Sequence, residues 1–83
     1  MKFIAHINVM PQKALLDPQG RAVSAGMKNM NLHEIGNVRI GKRISLEVEA
    51  ASKDIATEKV EQACKQLLAN PIMETFEFSL EQA

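Results

Sequence analysis

Tryptophan and tyrosine are absent from these 83 residues, phenylalanine occurs three times and cysteine once. With so few rings, the core has to be built from Ile, Leu, Val, Met and Ala. The paired exposed aromatics that stack on single-stranded nucleic acid are missing. A lone Cys64 rules out an internal disulfide framework and fits a reducing compartment. Surplus positive charge is missing too, since ten basic residues balance ten acidic ones. Gripping phosphates through counterion release needs such a surplus, so no nucleic acid partner is expected. No apolar run approaches the roughly 20 residues that span a bilayer. Met1-Lys2-Phe3-Ile4 runs directly into strand-like alternation, without the basic and long apolar regions of a secretory leader. No membrane association is expected, and the expected location is cytoplasmic.

What is present is ordinary globular material, 46% apolar and 24% charged, which implies one domain over residues 1–83. So short a chain buries only roughly 60–65% of the surface its unfolded form exposes. Oligomerisation is a common remedy for the thin stability that results.

The chain alternates strand and helix signals. Over residues 2–10, Phe3, Ala5, Ile7 and Val9 share one face, opposite Ile4, His6, Asn8 and Met10. Pro11 ends this first strand, and residues 11–16 read as a loop. Asp17-Pro18-Gln19-Gly20 then opens a helix, with Asp at the N-cap and Pro at the first helical position. The helix should run from Pro18 to about Asn29 or Met30. Ala22, Val23, Met27 and Met30 form its apolar stripe, and Asn31 closes it in the left-handed region. Gly20 and Gly26 are poor helix formers and point to close backbone packing.

Residues 35–50 admit two readings. Gly41-Lys42 resembles a two-residue hairpin turn, but the parity of the flanking residues opposes it. Val38, Ile40, Ile44, Leu46 and Val48 are all even, with Arg39, Arg43, Ser45, Glu47 and Glu49 between them. One continuous strand keeps these apolar residues on one face, whereas a turn splits them. The spacing therefore predicts a single strand of about 14 residues, on the order of 45 Å, bent or bulged at Gly41. Such a strand should overhang the protomer's sheet and pair with another copy. Lys42 falls on its apolar parity, where a charge must reach water or a partner. Both outcomes stay open.

Ser52-Lys53-Asp54 opens a second helix, with Ala56, Val60, Ala63, Cys64, Leu67 and Leu68 facing the core until Asn70-Pro71. Residues 74–80 form the third strand, with Phe76, Phe78 and Leu80 inward, and 81–83 should fray. The fold expected is α+β, a two-layer βαβαβ sandwich. Its three-stranded, mainly antiparallel sheet has one long central strand and two helices on one face. It is a dimeric variant of the ferredoxin-like arrangement.

Catalytic candidates are few. His6 and His33 lie on different elements with no partner at metal-ligand spacing, and read as structural or solvated. Cys64 reads as a small buried hydrophobe. The pairs Glu47 with Glu49 and Glu58 with Glu61 read as solvated surface. Neither phosphate-binding glycine pattern occurs. No catalytic, metal or cofactor residue is therefore assigned, and a non-catalytic subunit is the expected role.

Three segments carry a more specific message. Leu15-Leu16-Asp17-Pro18-Gln19-Gly20, Asn37-Val38-Arg39-Ile40-Gly41-Lys42 and Leu67-Leu68-Ala69-Asn70-Pro71-Ile72-Met73-Glu74 resemble, in order and spacing, the signature segments of the PurS family. PurS is the small subunit of phosphoribosylformylglycinamidine (FGAM) synthase. The resemblance implies a non-catalytic subunit of an ATP- and glutamine-dependent complex of purine biosynthesis. That complex converts formylglycinamide ribonucleotide (FGAR) to FGAM. It further implies a homodimer (or a tetramer in isolation) that joins a PurQ-type glutaminase to a PurL-type synthetase and assists ammonia transfer. ATP, Mg and glutamine would be used by those partners. On this reading Asp17, Pro18, Gln19, Gly20, Arg39, Gly41 and Lys42 are the candidate subunit-interface residues. The rival expectations are a stand-alone dimeric ligand-sensing domain, for which residues 11–16 supply no Gly-rich loop, and a small ferredoxin-like enzyme, for which no catalytic constellation is visible.

Overall fold

Lys2–Pro11 forms strand β1, and its odd-numbered side chains Phe3, Ala5, Ile7 and Val9 are almost wholly buried. The computed structural model describes residues 1–13 and 17–83. Leu15 and Leu16, with the end of the loop expected over 11–16, lie outside the described residues. Helix α1 spans Pro18–Asn29, β2 spans Lys42–Glu49, α2 spans Lys53–Ala63 and runs on as a π-helical segment over Cys64–Leu68, and β3 spans Glu74–Gln82. This is the βαβαβ order read from the sequence.

β1 pairs antiparallel with both neighbours, so the sheet order is β2-β1-β3. The long strand expected at the centre is therefore an edge strand, and β1 is central. Residues buried on one face and half-buried on the other suit that place. The long strand is also shorter than expected, because only Lys42–Glu49 joins the ladder. Asn37 turns into the left-handed region at φ 55°, which Asn tolerates better than a branched residue. The N–H groups of Val38 and Ile40 then bond Ser24 and Asp17 instead of a neighbouring strand, so the run before Lys42 stays outside the ladder. The parity holds from Ile44 through Leu46 to Val48, half-buried between exposed neighbours, but not before it, where Arg39 is half-buried like Val38 and Ile40 and Lys42 is exposed.

The helix ends follow local chemistry. At α1, the Asp17 carboxylate accepts from the Gly20 N–H at 3.0 Å. At its other end Asn31, with φ 67°, closes a Schellman pair: Leu32 N–H reaches the Met27 carbonyl at 2.9 Å and Asn31 N–H reaches Lys28 at 3.0 Å. Ser52 caps α2 through Ile55 N–H at 3.3 Å. The end of α2 departs from a regular helix, because Ala69 N–H reaches back five residues to Cys64 at 3.0 Å. That wider turn rotates Leu67 off the stripe to 82% exposure and brings Ala69 in at 6%. Asn70 then shapes the exit, its side chain accepting from Ile72 N–H at 3.0 Å. β3 does not fray at Glu81. It pairs through Gln82, and Ala83 N–H bonds the Lys2 carbonyl at 3.0 Å.

The core is Ala5, Ile7, Val9, Val60, Cys64 and Ala69, with a smaller cluster of Phe3, Ala50 and Ala56. Both lie between the sheet and α2. α1 adds nothing to either, and Gly20 is its only buried residue. Two helices covering one face was the expectation; in the protomer α2 alone makes the second layer. An amphipathic stripe shows that a helix has a face to bury, but not against which surface. The molecule is accordingly elongated, 52 × 26 × 14 Å.

Candidate interaction site

The first two signature segments, about twenty residues apart in sequence, meet at one joint. Asp17 stands at its centre. Its Oδ1 accepts from Gly20 N–H at 3.0 Å, capping α1, while Oδ2 accepts from Ile40 N–H at 2.9 Å. These two N–H groups, with the Arg39 guanidinium nearby, hold the Asp17 carboxyl below its ordinary value. Gly20 is required by the same geometry, because a Cβ there would fall on the Val38 carbonyl and within 2.7 Å of Asp17 Oδ2. Arg39 donates from Nη2 to the Pro11 carbonyl. Gly41 lies against β1, where a Cβ would strike the Met10 sulfur and the Val9 carbonyl. It is neither a hairpin turn nor a left-handed residue. It is the point of close approach at which the segment enters the ladder.

The structure thus joins Asp17 and Gly20 by a hydrogen bond, ties Arg39 to the end of β1 and sets Gly41 against β1 beside them. Pro18, Gln19 and Lys42 are exposed and border the same shallow groove, with Pro11 and Glu74. Sequence reasoning missed Ser24, whose hydroxyl accepts from Val38 N–H at 3.3 Å, and the Pro11 carbonyl. A polar residue on a helix and a carbonyl at a strand end carry no signal of partners 14 and 28 residues away.

Beside the joint, apolar surface stands uncovered. Ala22, Val23 and Met30 on α1 are exposed and Met27 is half-buried. α2 lies over β1 and β2, so Phe76, Phe78 and Leu80 on β3 remain half-buried, the two rings stacked at 6.4 Å. Leu67, Ile72 and Met73 are exposed near them.

Among the described residues the two histidines stand apart. His6 contacts Glu81 at 3.1 Å and Ser45 at 3.4 Å on the open sheet face, and His33 contacts Asn31 at 3.0 Å. Burial pushes the Cys64 thiol up, with Glu61 adding to the shift, which disfavours a thiolate. Among the described residues no group of three His, Cys, Asp or Glu side chains is placed to hold a metal. No helix there is long and apolar enough to cross a membrane.

Comparison with known proteins gives this joint a context. A family model described as PurS, phosphoribosylformylglycinamidine (FGAM) synthase, matches residues 4–82. The chain belongs to the PurS family. The FGAM synthase subunit PurS of Bacillus subtilis is 34% identical over 76 residues, covering 92% of this chain and 89% of that protein. Its counterpart from Thermotoga maritima is 37% identical over 71 residues, covering 86% and 87%. A chain in the PurLQS structure from Thermotoga maritima superposes with a TM-score of 0.89 at 33% identity, covering 98% of this chain and 99% of that one.

Proposed function

We propose that this chain is the PurS subunit of a phosphoribosylformylglycinamidine synthase and acts as a homodimer that joins a PurL-type synthetase to a PurQ-type glutaminase. The observation that carries this reading is its likeness, over nearly its full length, to a chain of the PurLQS assembly. Family membership favours the assembly role over a stand-alone ligand-sensing domain. The complex converts FGAR to FGAM with ATP and glutamine. ATP, Mg and glutamine belong to the partner subunits, and ammonia passes between them with this subunit's assistance, in the cytoplasm.

Each protomer offers both halves of a self-complementary contact. The α1 stripe of Val23, Met27 and Met30 needs an apolar face, and the β3 side of the sheet lacks a helix. A two-fold axis lets each copy supply what the other lacks. The joint of Asp17, Gly20, Arg39 and Gly41 holds the start of α1 against the segment leading into β2, and Pro18, Gln19 and Lys42, exposed beside it, are the residues proposed to meet the larger subunits.

Light scattering after size-exclusion chromatography, alone and then with PurL- and PurQ-type subunits, ADP and glutamine, tests the proposal. A dimer that enters a ternary complex is expected. A monomer that binds neither subunit overturns the proposal. Reversing the charges of Arg39 and Lys42 should prevent ternary assembly, and intact assembly would remove those two residues from the interface.

A further inference from the structure

Four of the chain's cations line one cleft of about 690 Å³ between α1 and the segment leading into β2. They are Lys13, Arg21, Lys28 and Arg39, and they face one carboxylate, Asp17. Both oxygens of Asp17 are already engaged by backbone N–H groups. In a chain with no net charge, this is a local excess of positive charge with little to neutralise it. The neutral total argues against a nucleic-acid partner, but it says nothing of how the charges are distributed.

Several donors line the cleft together. Arg21 and Lys28 lie seven residues apart, about two helical turns, and so share a face of α1. Ser24 sits between them; its oxygen accepts from Val38 N–H, which leaves its own proton free to donate. Arg39 has one donor on the Pro11 carbonyl and further N–H groups available. We propose that this cleft binds a phosphate-bearing small molecule, with Arg21, Lys28 and Arg39 supplying charge and Ser24 a hydroxyl donor. Its volume lies within the usual range for small-molecule sites, roughly 300–1,000 Å³. The cationic face lies about 120° round the helix from the Val23, Met27 and Met30 stripe. A copy seated on that stripe therefore leaves the cleft open, and the proposal is made for the chain before it meets the larger subunits, toward which Arg39 is also proposed to act.

The test is an amide NMR titration of the intact chain with inorganic pyrophosphate, and separately with ADP, at fixed low ionic strength. Saturable shifts confined to residues 21–28 and 37–39 are expected with both ligands. The double variant R21Q/K28Q should weaken pyrophosphate binding by about tenfold or more while its elution volume stays unchanged. Affinity unchanged in that variant, or equal shifts at cations outside the cleft such as Lys53 and Lys59, would overturn the proposal. So would a response to a polyglutamate peptide with none to pyrophosphate, which would make the cleft a seat for an acidic protein surface. If the wild type fails to dimerise yet still binds pyrophosphate, the assembly reading fails and this one stands.

Discussion

The two ends of the molecule are held by different forces. Around β1 and α2, order comes from burial: Ile7, Val9, Val60 and Cys64 are sealed from water, and among the described residues no polar side chain shares that interior. Around α1, order comes from hydrogen bonds between Asp17, Ser24 and Arg39 and the backbone, while the helix's apolar stripe stays open. The first half can stabilise itself. The second is positioned by its bonds but left with unburied apolar surface, and its remaining stability has to come from another molecule. Such a division suits a subunit whose work is to hold other chains.

Ile7→Ala should break the first half most severely. Removing a fully buried branched side chain costs about 2–5 kcal/mol, a large share of what so small a domain possesses. Urea unfolding followed by circular dichroism should show a lower midpoint for the whole chain.

The opposite outcome is expected from Val23→Asp combined with Met27→Asp. Neither residue touches the buried clusters, so the far-UV spectrum should persist while the proposed dimer dissociates to monomer. Retention of the dimer, measured by light scattering, would show that the α1 stripe is not the surface the second copy covers.

Acid should loosen the joint before it loosens the core. Because Gly20 and Ile40 N–H groups, then Arg39, favour the ionised form of Asp17, its folded pKa lies below the unfolded one. The resulting stabilisation is present in full above the unfolded value and fades as pH falls through the folded value, below about 4. Amide exchange at Gly20 and Ile40 should accelerate there, while exchange at Ile7 and Val9 should change less. Asp17→Asn should flatten this pH dependence and weaken the joint at every pH, since an amide does not titrate and its single oxygen can accept from only one of the two N–H groups.

The same division separates what the sequence could show from what it could not. Alternation in β1 and β3, the Asp17 and Ser52 caps and the even parity from Ile44 to Val48 are local signals, and each matches the structure. The pairing of Asp17 with Ile40 and of Arg39 with Pro11 spans more than twenty residues, and periodicity carries no record of it. Gly41 was readable as special but not as a point of contact with Met10, because that depends on where β1 runs. Nor does a stripe on α1 tell whether its cover lies in the same chain.

Leu67 provides the finest test, because the sequence pattern and the structure make opposite demands of it. A regular helix continued from Val60 places Leu67 in the core, where Leu67→Ala would cost about 2–5 kcal/mol. The five-residue hydrogen bond from Ala69 to Cys64 turns the side chain outward, so the substitution should change protomer stability by no more than about 0.5 kcal/mol. Ala69→Leu, by contrast, forces a larger side chain into the filled space beside Val9 and Cys64, at a cost of about 1–3 kcal/mol. Urea midpoints for the two variants, measured at a protein concentration low enough to keep the monomer, decide between the registers. If Leu67→Ala proves the more damaging, the helix does not widen after Ala63, and Leu67 belongs to the self-sufficient half. If Ala69→Leu does, Leu67 joins Ile72 and Met73 as apolar surface waiting for a partner.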